Sequence, residues 1–186
     1  AIHGGSSYEM LYLGNLNVSA YPLEQAILKA KSGDLFISHV VYEGKIVTDK
    51  FGHIEEVFNT FVYKDSYISE KNMAADLAWY LILYSKNIDD YSMLNRRLAW
   101  CIRTMLIAEA AEAKVPVFSS SGLASFHGDK SVYDLIESKS SPMYSSDNIA
   151  LMKTILLAKG YSAPDFGGDA RSYFISTDNK VAVSTL

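Results

Sequence analysis

Cysteine is almost missing from this sequence: Cys101 is the single one in 186 residues. One thiol closes no intrachain disulfide, so a reducing, cytoplasmic setting is expected. Cys101 stands mid-helix among apolar residues, where a thiol is ordinarily inert packing. An excess of positive charge is also lacking. Seventeen Lys and Arg stand against 21 Asp and Glu, for a net charge of −4. That excludes a general nucleic-acid glove and leaves room only for a local basic patch. No apolar run approaches the roughly 20 residues that span a bilayer, and no signal-peptide pattern opens the chain, so no membrane partner is expected. There is no Walker motif, no GxGxxG, no CxxC, no internal repeat and no low-complexity tract. His3, His39, His53 and His127 have no second ligand at metal spacing. His39, in an apolar run, reads as a core histidine. The serines, His127 and Asp129 of "FSSSGLASFHGD" superficially suggest a triad, but "SSSG" before an apolar run is ordinary capping chemistry. No catalytic residue and no metal ligand is therefore assigned in this chain.

At 49% hydrophobic and 20% charged, the chain is able to bury a core without staples. Residues 1–9 read as a linker, and residues 11–20 as one strand, with Leu16, Val18 and Ala20 alternating with Asn17 and Ser19. Pro22 opens a helix that Gly33 stops. "DLFISHVVYEGKIVTD" reads as two short β runs about a "YEGK" turn, although its first run suits a short helix equally well. From residue 52 the pattern is helical. "GHIEEVFNTF" is one helix, and Ser69 is expected to cap the next. Asp89 and Asp90 precede a long helix that runs to about Lys114. Shorter ones follow in "SSGLASF", "DKSVYDLIES" and "SSDNIALMKTILLAKG", the last stopped by Gly160. "RSYFISTDNKVAVST" reads as a closing β-hairpin turning at Asp178 and Asn179. The expected fold is α+β and mostly α: residues 1–51 form a small mixed piece, and residues 52–186 a helical bundle ending in a β-hairpin.

The long helix carries Arg96, Arg97 and Arg103, and an arginine is rarely buried without a partner. Positions three, four and seven apart share a face, so Arg96, Trp100, Arg103 and Ile107 form one line, with the indole between two guanidiniums. Pairing with Glu109, Asp76, Asp89 or Asp90 is the common arrangement in a bundle. The alternatives are a phosphate-bearing ligand, because the flat fork of arginine suits phosphate oxygens, and a solvated or partner-facing surface.

Residues 32–49, "SGDLFISHVVYEGKIVTD", resemble the segment that follows the catalytic strands in bacterial nucleotidyltransferase-domain proteins of the polymerase-β-like superfamily. Residues 96–124, "RRLAWCIRTMLIAEAAEAKVPVFSSSGLA", look like a helix and turn of the helical region in the same family. The resemblance covers roughly residues 11–125 as a pattern of apolar and charged positions. It implies metal-dependent transfer of a nucleoside monophosphate, with carboxylates holding two Mg²⁺ ions. The catalytic positions do not carry over. No Asp-x-Asp or Asp-x-Glu pair follows "GGSS", and Asn17 and Ser19 stand where the last carboxylate belongs.

The chain is thus expected to be the C-terminal, substrate-positioning portion of a nucleotidyltransferase-like protein, inactive alone. Arg103, and with it Arg96 and Arg97, would face a nucleotide or anionic acceptor. Mg²⁺ would enter only through a complete catalytic core elsewhere in the native protein. The alternatives are a non-enzymatic interaction module or homodimer built on exposed aromatics, and an antitoxin-like partner protein.

Overall fold

The structure is a computed structural model and describes residues Ala1–Leu186 apart from the side chain of Leu13. It is α+β and mostly α, as the pattern of apolar residues predicts, with ten α-helices and one three-stranded sheet among the described residues. The chain forms two compact units. One comprises Ala1–Ser66 with Ala111–Pro116, the other Tyr67–Ala110 with Val117–Leu186.

In the first unit, β1 (Ile2–His3), β2 (Glu9–Leu13) and β3 (Leu16–Pro22) form a sheet of order β1-β3-β2. β1 is parallel to β3 and β2 antiparallel, with Leu11 opposite Val18. The single strand expected over residues 11–20 is therefore a hairpin. Gly14 adopts the left-handed φ of 61° that the first position of a two-residue hairpin turn calls for.

Pro22 stands just ahead of α1 (Leu23–Lys31), which buries Ala26 and Ala30. Gly33 is doubly constrained: its φ is 66°, and a Cβ would lie 2.8 Å from Val62 O. The run after it, which suited a short helix as well as a strand, is α2 (Leu35–Glu43). The Asp34 carboxylate decides this by accepting from Phe36 N at 2.9 Å and Ile37 N at 3.0 Å, an N-cap that extended backbone has no use for. A Cβ on Gly44 would collide with Val40 O, so glycine is required where the chain leaves α2. Residues 45–52 carry no strand, and Asp49 caps α3 (His53–Thr60) through Ile54 N and Glu55 N. The core of this unit is small: Ala26, Ala30, Ile37 and Val57, flanked by Ile2, Tyr21 and Phe61.

The second unit is a helical bundle. It contains α4 (Ile68–Tyr84), most of α5 (Tyr91–Glu112), α6 (Ser120–His127), α7 (Ser131–Glu137), α8 (Ser146–Ala158), α9 (Ala170–Ser176) and α10 (Lys180–Val183). Ser69 does not cap α4, which already begins at Ile68. Ser119 and Ser145 do cap α6 and α8, accepting from Gly122 N and Asn148 N. Leu77, Leu81, Leu98, Ile102, Met105, Leu135, Leu156 and Phe174 are among its fully enclosed side chains.

The closing β-hairpin expected over residues 171–185 is instead the helical pair α9–α10, turning where the hairpin was placed, at Asp178 with φ 50°. Two side chains drive it into helix. Asp169 accepts from Arg171 N and Ser172 N, and Asn179 accepts from Ala182 N at 3.1 Å. Asn179 is itself buried and donates to Met73 O at 2.8 Å, which fastens the pair to α4. Among the described residues no helix is long and apolar enough to cross a membrane.

Candidate functional site

The three arginines of α5 divide between two faces. Arg96 is exposed, and Trp100, Arg103 and Ile107 along the same line are partly buried. At about 100° per residue, Arg97 is turned a quarter of the way round from Arg96. Its Nη2 lies 3.4 Å from Ser184 Oγ, beyond α10. Its Nε is shielded from solvent and has no acceptor among the described residues. Arg96 and Arg103 thus share a face, and Arg97 belongs to another.

None of the three forms an ion pair with a carboxylate among the described residues. Three of the four partners that the sequence offered are engaged elsewhere, and the fourth, Asp89, is exposed. Glu109 pairs with Lys159 at 2.7 Å. Asp90 Oδ1 accepts from Met93 N at 2.8 Å at the start of α5. Asp76 accepts from the Tyr173 hydroxyl at 2.8 Å. Burial raises the Asp76 carboxyl above the ordinary carboxylate value, with the Tyr173 hydrogen bond pulling the other way. Burial and the same carboxylate push the Tyr173 hydroxyl up to about 12. Neither this pair nor the Lys159–Glu109 pair is visible in the sequence, since each joins residues 50 or more positions apart.

Cys101, one turn on from Arg97, is wholly enclosed. Burial raises its thiol far above the ordinary range despite the nearby guanidinium, so the thiolate needed for nucleophilic work is suppressed. His39 is not in the core: it lies half exposed on α2, 2.8 Å from Glu43. His127 ends α6 rather than sitting in a loop. Near it, Ser119 caps that helix and Ser120 Oγ donates to Glu137 at 2.6 Å. The Asp129 carboxyl is held below its ordinary value because the Ser131 hydroxyl and amide donate to it. These groups serve caps and turns.

Divalent cations need convergent carboxylates. Among the described residues no three His, Cys, Asp or Glu side chains come together to hold a metal. On β3, Asn17 is opposite Tyr12 and Ser19 opposite Met10. The Ser19 hydroxyl is taken up with Tyr8 and Met10. These donors are neutral and do not fit the Mg²⁺ pair that the family resemblance implies. What the arrangement offers is a half-buried, positively charged helix face with an indole at its middle. Compared with known proteins, the chain matches no family model, no curated protein and no solved structure.

Proposed function

We propose that the chain is the helical, substrate-positioning portion of a nucleotidyltransferase-like protein, whose α5 face holds the anionic part of a nucleotide or acceptor. One observation carries this reading. Arg96 and Arg103 flank Trp100 without a carboxylate partner, while Glu109, Asp76 and Asp90 are committed elsewhere. Guanidiniums left unneutralised offer forked donors to phosphate oxygens, and an indole between them offers a stacking surface. Phosphoryl transfer itself is not assigned to these residues, because neutral Asn17 and Ser19 cannot substitute for carboxylate charge. Calorimetric titration with nucleoside triphosphates tests the reading. Arg103→Ala is expected to keep the wild-type circular dichroism and to weaken binding by about tenfold or more, the worth of a charge-assisted contact. Absence of heat with every triphosphate at millimolar concentration, or unfolding of the variant, would sink it.

A second reading, a protein-interaction module, draws on the first unit, where Val47 and Phe51 are 95% and 81% exposed. Apolar side chains this open favour a covered surface. Light scattering over a range of concentrations would reveal the self-association that this reading expects if the partner is a second copy.

A further inference from the structure

A second group of cations gathers on the helical pair α9–α10. A surface pocket of about 410 Å³ opens there, lined by Arg171, Lys180, Asp178 and Ser184 beside an apolar wall of Ile175 and Val183. Arg97 reaches its rim from α5 through Ser184 Oγ at 3.4 Å. Arg171 Nη1 lies 3.4 Å from Val183 O, the neighbouring residue. Two guanidiniums from elements distant in sequence therefore converge on residues 183 and 184. Both contacts are at the long limit of hydrogen bonding, so both forks keep donors for something better. The Arg97 Nε is desolvated and has no acceptor among the described residues, which leaves Nη2 as the group that Arg97 turns toward Ser184. Ser184 Oγ donates to Val181 O at 2.8 Å and so presents its oxygen, not its proton, to Arg97.

Charge selects the ligand. Arg97, Arg171 and Lys180 stand against two carboxylates: Asp178, whose contact with Lys180 is a loose 3.8 Å between strongly exposed groups, and Asp169, whose charge is felt by Arg171. One positive charge remains. A phosphate monoester carries close to two negative charges at neutral pH, and its ester group can rest on the apolar wall. We infer that this pocket binds a phosphate monoester with a small apolar ester group. The inference does not rest on the nucleotide reading of the outer α5 face, because Arg97 points away from that face.

The test is an amide NMR titration of the full chain with phenyl phosphate and, separately, with inorganic phosphate. Saturable shifts are expected at Arg171 and over residues 180–184, with phenyl phosphate the tighter ligand. Replacing the exposed cations together, Arg171→Ala with Lys180→Ala, should weaken binding about tenfold or more. Asp178→Asn removes one opposing charge and keeps a side chain that tolerates left-handed backbone, so it should tighten binding. Arg103→Ala should leave phenyl phosphate binding unchanged even where nucleotide binding is lost. The inference is overturned by an absence of saturable shifts, by inorganic phosphate binding as well as the ester, or by unaltered affinity in a double variant with wild-type circular dichroism.

Discussion

The contact between Tyr173 and Asp76 shows how one hydroxyl sets the behaviour of a carboxyl. Asp76 sits partly buried on α4, and the Tyr173 hydrogen bond is the partner it has in the structure. Tyr173→Phe leaves that carboxyl without its donor and is expected to destabilise the fold by about 1–3 kcal/mol, measured by urea unfolding. The pH dependence follows from the raised Asp76 value. In the interval above the ordinary carboxylate value, the folded protein holds a proton that the unfolded chain has released. Stability from this group is present in full at the acid end and is lost as pH rises through the folded-state value. Asp76→Asn keeps an acceptor for the hydroxyl and removes the titration. The variant should match wild type at the acid end and exceed it as pH rises across that interval. Parallel stability curves for the two proteins would contradict this.

At the scale of elements, capped helices were legible and short apolar runs were not. Ser119, Ser145 and Gly160 mark their helix ends in sequence as they do in space, because caps are local hydrogen bonds between near neighbours. "LFISHVVY" and "RSYFISTDNKVAVST" are β-branched and aromatic enough to resemble strands. Their caps, Asp34, Asp169 and Asn179, overrule propensity, and the first two stand just ahead of the runs they direct. The Gly14–Asn15 pair carries a hairpin signal of the same local kind. What sequence could not supply is the distance between partners. Asn179 reaches Met73 across 106 positions, and Arg97 meets Ser184 across 87. The placement of the arginines along α5 was readable from helical period alone. That Glu109, Asp76 and Asp90 answer to Lys159, Tyr173 and a helix start was not. Asn179→Ala removes a buried donor's bond and the α10 cap together. The expected cost is about 2–3 kcal/mol, seen as a lower urea midpoint with an unchanged slope. A loss within experimental error would show that the α9–α10 pair is held by packing instead.

For the whole molecule, the two units differ in how much they enclose. The bundle buries a long series of side chains from α4 to α10, whereas the first unit encloses Ala26, Ala30, Ile37 and Val57. The first unit also draws Ala111–Pro116 from the middle of the chain. A fragment of residues 67–186 is expected to unfold in a single cooperative transition with strong helical dichroism. A fragment of residues 1–66 lacks residues 111–116 and has a core well below what a domain of about that size needs. It should give a poorly dispersed amide spectrum. Cooperative melting of the shorter fragment alone would reverse this ranking.

The isolation of Cys101 has a practical side. Its sulfur is sealed inside the bundle and held as thiol, so maleimide dyes and nitroxide spin labels should pass it by in the native protein. A cysteine introduced beside Arg103 or Lys180 could then carry a reporter selectively, with the native residue left in place. Ligand arrival at either arginine-bearing face could be followed by fluorescence or paramagnetic broadening in an otherwise unaltered chain.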